Sequence, residues 1–255
     1  MSIIYEPRGR ALEYSLLALN HYNGCEHGCS YCYARDMAIR WGKSFAPASP
    51  REGVAAALRK EAPLFAGTDK RVLLSFSTDP YQPLNDRLGL TRQVLSILRE
   101  HNIPWQVLTK GGTRAVGDFD LYGPNDAFAT TMTLLDLDES EAYEPLAARP
   151  ENRIEAIGVA KSRGIETWVS LEPVLDPSTS LAIIDRTHEI VDLYKIGVLN
   201  HRSSRTDWRA FGIAAIERCV RYGVPYYVKD DLAKHLDGVA RASTDTRRVT
   251  TRPGT

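Results

Sequence analysis

Three of the four cysteines in this 255-residue chain lie in one stretch, Asn20-His21-Tyr22-Asn23-Gly24-Cys25-Glu26-His27-Gly28-Cys29-Ser30-Tyr31-Cys32-Tyr33-Ala34-Arg35. Their spacing is C-x3-C-x2-C, a cluster too tight for a disulfide framework and typical of a metal site. Three thiolates are one fewer than the four ligands that close a zinc or iron–sulfur site, so one metal position would stay open to another ligand. Gly24 and Gly28 permit positive φ angles, which would let the three sulfur atoms converge.

Outward from this loop, short apolar runs alternate with amphipathic segments of helical length, which is typical of βα units and a parallel sheet. The pattern predicts strands at residues 13–19, 71–76, 105–109, 128–134, 166–171, 193–198 and 225–228. It predicts helices near residues 35–41, 49–65, 90–101, 151–163, 179–190, 208–222 and up to 236, with only a short helix in 113–123. Ser49 is expected to cap the second helix in a capping box with Glu52, with Pro50 as its first residue.

Six or seven βα units in about 255 residues predict an α/β fold, namely a partial (β/α)6-type open TIM-like barrel of parallel strands. We expect this barrel to occupy residues 1–236. A polar, basic and flexible tail would follow at 237–255, and a nucleic-acid-binding arm is the alternative interpretation of that tail.

In parallel α/β folds the functional groups gather where strands end. Polar residues of the predicted strand ends are Ser77, Thr78, Asp79, Lys110, Thr131, Thr133 and Glu172. Candidates for the substrate side are Lys195, Asn200, His201, Lys229, Asp230 and Asp231. Ordinary structure could explain several of them, because Thr-Asp-Pro favours turns and threonine favours strands. An ion pair or a solvated helix start would equally explain Lys229, Asp230 and Asp231.

The composition favours a soluble, cytoplasmic protein without membrane spans. Lys+Arg and Asp+Glu are both 32, so the net charge is zero, whereas proteins that grip long nucleic acids usually carry a basic excess. A local basic patch remains compatible with this balance. Residues 1–7 lack the basic and then apolar order of a signal peptide, and no apolar run approaches the ~20 residues of a membrane span.

The spacing C-x3-C-x2-C, with an aromatic residue before the third cysteine, resembles the signature of the radical S-adenosylmethionine (SAM) superfamily. The wider string Gly-Cys-Glu-His-Gly-Cys-Ser-Tyr-Cys-Tyr-Ala-Arg is similar to the branch related to spore photoproduct lyase. The resemblance spans residues 14–235 but is specific only at the cysteine loop and at the end of the second strand. It implies a 4Fe–4S cluster on Cys25, Cys29 and Cys32 that reductively cleaves SAM to a 5′-deoxyadenosyl radical, which abstracts hydrogen from a substrate.

The same resemblance implies roles for further residues. Tyr33 joins the cluster cysteines as a catalytic residue, and Tyr31 would lie beside the adenine of SAM. Cofactor contacts are expected from Ser77, Thr78 and Asp79 at the ammonium group, Lys110 at the carboxylate, Thr131 and Thr133 at the ribose, and Glu172. The implied partners are an electron donor such as flavodoxin or ferredoxin and a substrate for which nucleic acid or a nucleotide is favoured.

The chain departs from spore photoproduct lyase at one place. Phe76 stands three residues before Asp79, where the lyase carries the cysteine that returns a hydrogen atom to the product radical. This substitution argues against thymine-dimer repair but leaves SAM cleavage unaffected. Cys219 is interpreted as a packing residue, with a redox or hydrogen-donor thiol as the alternative, and a single extra cysteine is too few for a second cluster.

One alternative belongs to a different functional class. A zinc ion held by the three cysteines and either His21 or His27 would stabilise a non-catalytic binding protein.

Overall fold

The parallel strands lie within residues 2–199 and 204–239, which are the residues that the computed structural model describes. In chain order the strands are β1 (Leu17–Leu19), β2 (Tyr22–Asn23), β3 (Ser49–Pro50), β4 (Val72–Leu74), β5 (Trp105–Thr109), β6 (Ala127–Thr131), β7 (Glu166–Leu171), β8 (Leu193–Ile196) and β9 (Tyr226–Val228). Seven of these form one sheet in the order β1-β4-β5-β6-β7-β8-β9, and every neighbouring pair is parallel. β2 and β3 form a separate antiparallel pair.

Helices connect the strands of the main sheet. They are α1 (Tyr33–Arg40), α2 (Val54–Glu61), α3 (Pro83–Leu88), α4 (Leu90–Glu100), α5 (Leu137–Tyr143), α6 (Pro150–Ser162), α7 (Pro177–Thr187), α8 (Trp208–Tyr222) and α9 (Asp230–Ala233). In the described part of the chain, 3-10 helices cover Gly9–Glu13, Ala62–Phe65 and Gly112–Leu121. The linear strand order leaves β1 and β9 as edges, which confirms the predicted open, partial barrel.

Alternating side chains of each strand pack on opposite faces of the sheet. Leu17 and Leu19 of β1 belong to the larger apolar core, whereas Ala18 between them belongs to a smaller inner cluster. Ala127 and Ala129 of β6 join that inner cluster, and Phe128 joins the larger core. The inner face therefore carries small side chains next to the large ring of Trp168, and polar groups share the same interior.

The N-terminal segment runs between the two edges of the sheet. Glu13 Oε1 accepts a hydrogen bond from the backbone N–H of Asp230 at 2.7 Å and lies 3.3 Å from the Tyr227 hydroxyl. Arg10 pairs with Asp231 at 2.6 Å. Residues 10–14 thus connect the β9 edge to β1, the strand that follows them.

The prediction for the second helix is wrong at its start. Ser49 and Pro50 pair with Asn23 and Tyr22 as strand β3, and the helix begins only at Val54. The pairing with the start of the cysteine loop outweighs the local capping-box signal. The predicted first strand is also too long, because Glu13 ends a 3-10 helix and β1 begins at Leu17.

Most of the predicted tail, residues 240–255, lies outside the described residues, so the tail stays a prediction. Within residues 2–199 and 204–239, no helix combines the length and the apolar character needed to cross a membrane.

Candidate active site

A cavity of about 570 Å³ opens where the parallel strands end. Most of the predicted site residues line it: Cys25, Cys29, Tyr31, Cys32, Tyr33, Ser77, Thr78, Asp79, Lys110, Thr131 and Glu172. Thr133 does not line the cavity, because it is fully buried behind Tyr31. The fold therefore brings together side chains that are separated by up to about 150 residues in sequence.

Gly24 and Gly28 give the cysteine loop its curvature. Gly24 has a φ of +72°, and a Cβ atom added there would lie only 2.0 Å from the carbonyl oxygen of Phe45. Gly28 has a φ of +70° and lies against Pro145. Only glycine fits the first position, because both the backbone angle and the available space exclude a side chain.

The buried side chain of Gln82 ties the loop to the segment after β4. Its Oε1 accepts a hydrogen bond from Glu26 N at 2.8 Å, and its Nε2 donates to Thr78 Oγ1 at 3.0 Å. The Thr78 hydroxyl in turn donates to the carbonyl oxygen of Gly24 at 2.5 Å. Thr78 thus supports the cysteine loop in addition to facing the cavity.

The three loop cysteines are free thiols in a largely buried setting. Burial raises the pKa of Cys29 to about 11 and raises that of Cys25 as well, so both thiols keep their protons in the absence of a compensating cation. A bound metal reverses this preference, because a coordinating thiol loses its proton. The donor set would fit an iron–sulfur cluster, because cysteine thiolates are the usual protein ligands of such clusters.

Of the two histidines in the zinc alternative, His27 lines the cavity with the cysteines, whereas His21 does not. His21 is buried, and its Nε2 lies 2.8 Å from Thr91 Oγ1 rather than next to a cysteine. Within the part of the chain that the structure describes, no three His, Cys, Asp or Glu side chains meet in the arrangement of a single metal ion.

Asp79 joins two strand ends to the loop. Its Oδ1 accepts hydrogen bonds from Tyr81 N at 2.8 Å and Thr109 Oγ1 at 2.5 Å, and its Oδ2 accepts one from Lys110 N at 2.8 Å. The Nδ1 atom of His27 lies 3.5 Å from Oδ2. Protein donors therefore occupy most lone-pair positions of this carboxylate. The predicted hydrogen bond from a SAM ammonium group would use one of the remaining positions.

Two buried polar atoms of the cavity wall have no partner among residues 2–199 and 204–239: His27 Nε2 and Ser75 Oγ. Burial lowers the pKa of His27 to about 4, so the ring is neutral near pH 7. Buried polar atoms are nearly always hydrogen-bonded in folded proteins. These two atoms therefore indicate that a polar ligand belongs in the cavity.

Tyr31 and Lys110 are held by a residue that the sequence did not single out, Glu144. The carboxylate of Glu144 accepts hydrogen bonds from the Tyr31 hydroxyl and from Thr133 Oγ1, the latter at 2.8 Å. Lys110 Nζ lies 3.9 Å from the same carboxylate and 5.3 Å from the centre of the Tyr31 ring. The other oxygen of Glu144 pairs with Arg153, and both side chains are fully buried.

Another set of polar residues, which we call the Lys229 cluster, comprises Tyr14, Ser170, Glu172 and Lys229. The Tyr14 hydroxyl donates to Glu172 Oε2 at 2.9 Å, lies 3.1 Å from Ser170 Oγ and accepts a hydrogen bond from Lys229 Nζ at 3.0 Å. Lys229 also forms an ion pair with Glu172. Burial lowers the pKa of Lys229 to about 8.

Phe76 lies between this cluster and the cysteine loop. Its carbonyl oxygen accepts a hydrogen bond from the Tyr33 hydroxyl at 2.5 Å, and its ring meets the Tyr14 ring edge-on with centroids 5.6 Å apart. Phe76, which replaces the donor cysteine of the lyase, therefore contributes an aromatic ring to the cavity wall.

The remaining candidates have varied positions. Lys195 is buried outside the cavity wall and donates to the carbonyl oxygens of Glu13 and Tyr14 at 3.1 and 3.2 Å. Asp231 pairs with Arg10 and Lys234, and Cys219 is buried in the apolar core. The backbone N–H of Asp230 donates to Glu13 Oε1. Asn200 and His201 lie outside the described residues.

No protein-family model matches the chain. An uncharacterized protein of Methanocaldococcus jannaschii is 24% identical over 192 residues, which cover 73% of this chain and 71% of that protein. Among solved structures, a spore photoproduct lyase variant with bound AdoMet and dinucleoside spore photoproduct superposes with a TM-score of 0.58 and 13% identity. The match covers 80% of this chain but only 61% of the lyase.

SuiB of Streptococcus suis, solved with S-adenosylmethionine, superposes with a TM-score of 0.61 and 10% identity over 88% of this chain and 52% of SuiB. The chain therefore spans between about half and three fifths of these two proteins. These likenesses confirm the fold expected from the resemblance to spore photoproduct lyase.

Proposed function

We propose that this protein is a radical SAM enzyme that uses a 4Fe–4S cluster on Cys25, Cys29 and Cys32. The observation that carries the proposal is the placement of these three cysteines in one cavity at the strand ends, in a fold shared with proteins solved with SAM. When bound, such a cluster supplies the electron that cleaves SAM and yields a 5′-deoxyadenosyl radical.

The side chains around the loop would bind and orient SAM. Lys110, whose Nζ lies 3.9 Å from the Glu144 carboxylate, lines the cavity and can pair with the SAM carboxylate as well. The unpartnered atoms His27 Nε2 and Ser75 Oγ can each hydrogen-bond a polar group. Tyr31 and Thr131 line the wall on the side where Glu144 fixes the Tyr31 hydroxyl. Apolar residues of the wall, Leu73, Leu108 and Met37, help to exclude water from the radical.

We further propose that the substrate is a nucleic acid or a nucleotide. The cavity wall includes Arg8, an exposed arginine without a partner in the described residues, which can meet a phosphate group. The nucleic-acid-related ligand named for the similar lyase structure is in keeping with this class. Phe76 in place of the donor cysteine argues that the reaction differs from thymine-dimer repair.

The proposal is tested by anaerobic reconstitution with iron and sulfide, followed by a chromatographic assay for 5′-deoxyadenosine after addition of SAM and dithionite. We expect product from the wild-type protein and none from Cys29→Ala. Cys219→Ala is the matched control, since it also removes one buried cysteine but lies outside the cavity. Product formation by Cys29→Ala, or a wild-type protein that binds one zinc and assembles no cluster, would overturn the proposal.

A further inference from the structure

Lys229 has one hydrogen-bond donor more than the described residues use. An ammonium group carries three N–H donors. Two of them are directed to Glu172 and to the Tyr14 hydroxyl, and within residues 2–199 and 204–239 no third acceptor contacts the group. The Lys229 side chain is only 3% exposed, yet it lines the cavity. The remaining N–H is therefore better placed to contact a ligand in the cavity than to contact bulk water.

Several buried polar groups hold Tyr14 next to Lys229. The carbonyl oxygen of Tyr14 accepts hydrogen bonds from Gln106 Nε2 at 2.7 Å and from Lys195 Nζ at 3.2 Å. Lys195 is buried, its Nζ lies 4.5 Å from the centre of the Trp168 ring, and no carboxylate among residues 2–199 and 204–239 forms an ion pair with it. Burial of a lysine amine without such a partner is unfavourable, and this amine is one of the two groups that hold the Tyr14 carbonyl in position.

The charge of the Lys229 cluster indicates which ligand it fits. Glu172 already neutralises the ammonium group of Lys229. A phosphate or carboxylate at this point would bring an unbalanced negative charge into a buried place, which is strongly unfavourable. A neutral oxygen acceptor requires no such compensation and satisfies the remaining N–H.

We propose that Lys229 is a substrate-contacting residue that donates its third N–H to a carbonyl oxygen of a nucleobase, with Tyr14 and Glu172 as positioning residues. The assignment rests on the proposed function, because it takes the substrate to be a nucleic acid or nucleotide. It divides recognition between two places in the cavity wall. Arg8 meets the charged phosphate, and the Lys229 cluster meets the neutral base.

The experiment uses two probes that differ only in their bases. One is thymidylyl-(3′→5′)-thymidine, and the other is the abasic dinucleotide with the same sugar–phosphate backbone. Binding of each probe to the reconstituted protein in the presence of SAM is measured by anaerobic calorimetry. The variants are Lys229→Met, the double variant Lys229→Met/Glu172→Gln, Tyr14→Phe and Arg8→Ala. Lys234→Met is the matched control, because Lys234 is exposed and lies outside the cavity wall.

We expect Lys229→Met to weaken binding of the thymidine dinucleotide roughly tenfold or more and to leave the abasic probe unchanged. The double variant also removes the negative charge of Glu172, which loses its ion pair with Lys229 in the single variant, and it should show the same base-specific loss even if the single variant folds poorly. Tyr14→Phe should give a smaller loss with the same dependence on the base. Arg8→Ala should weaken both probes alike, and Lys234→Met should change neither.

Equal affinity of the wild-type protein and the folded lysine variants for the thymidine dinucleotide would overturn the assignment while leaving the proposed function intact. It would also be overturned by a wild-type protein that cleaves SAM but binds neither probe. Failure of the wild-type protein to cleave SAM at all would instead refute the proposed function.

Discussion

The carboxylate of Glu144 accepts a hydrogen bond from the hydroxyl of Tyr31, 113 residues earlier in the chain. Tyr31 lies between two of the loop cysteines, so this contact fixes the cysteine loop to the segment after α5. Glu144 is in turn held by the buried guanidinium of Arg153. A buried ion pair therefore stands directly behind one wall of the candidate active site.

Glu144→Gln is expected to lower the free energy of unfolding by about 3 kcal/mol, because it leaves the Arg153 charge buried and unpaired. Urea denaturation of the wild-type and variant proteins measures this change. Glu141→Gln is the matched control, since Glu141 is 54% exposed in its pair with Arg149 and the expected loss there is below about 1 kcal/mol. Equal losses at the two positions would contradict the structural assignment.

The double variant Glu144→Leu/Arg153→Met separates stability from ligand binding. Replacing a buried ion pair with apolar residues is often neutral for stability, so the free energy of unfolding should recover most of the loss seen in Glu144→Gln. The double variant still lacks the Glu144 carboxylate that contacts Tyr31 and Lys110. Affinity for SAM in an equilibrium dialysis assay should therefore stay reduced by roughly tenfold. Recovery of both quantities would show that Glu144 has no role in positioning.

Gly24→Ala is expected to abolish iron loading. The added Cβ would collide with the carbonyl oxygen of Phe45 at 2.0 Å, so the loop must open. Gly42→Ala provides the comparison, because Gly42 has a similar φ of +66° but no heavy atom within 4 Å of the added carbon. Both variants bear the backbone penalty of about 1 kcal/mol, and only Gly24→Ala should lose iron per chain in a colorimetric assay after reconstitution.

Lys195→Met should change how stability depends on pH. Burial lowers the pKa of Lys195 from 10.5 to about 7, so the unfolded chain binds more protons than the folded chain between these two values. The penalty for burying the ammonium group is complete below pH 7 and diminishes as pH rises toward 10.5. The free energy of unfolding of the variant relative to wild type should therefore fall steadily from pH 6.5 to 9.5 in urea titrations. A constant difference over this range would contradict the lowered pKa.

Local signals predicted the regular parts of the barrel well. β5, β7 and α8 have the predicted bounds, since each is an apolar or amphipathic run with clear stops, such as Gly223 in the left-handed conformation after α8. The short strand β3 was missed because its pairing partners lie 26 and 28 residues away, at the start of the cysteine loop, and a local pattern contains no information about that pairing.

The candidate site was predictable only where strands end. That rule located the cysteine loop, Asp79 and Glu172, all of which line the cavity. The rule could not locate Gln82 or Glu144, because both reach the loop from the ends of helices. The sequence around Glu144 is rich in acidic residues and therefore resembles an ordinary solvent-exposed segment. The apolar pattern places Tyr14 within the predicted first strand, where nothing distinguishes its side chain from those of its neighbours.

The N-terminal segment that connects the two edges of the sheet has a consequence for how the protein is made. Contacts of the cysteine loop with Thr78 and Gln82 span only 54 and 56 residues, whereas those of Tyr14 with Lys229 and of Glu13 with Asp230 span 215 and 217. Contacts of long sequence separation form late, and a chain emerging from the ribosome folds from its N-terminus. A nascent chain would thus shape its cysteine loop well before the last strand arrives to complete the Lys229 cluster.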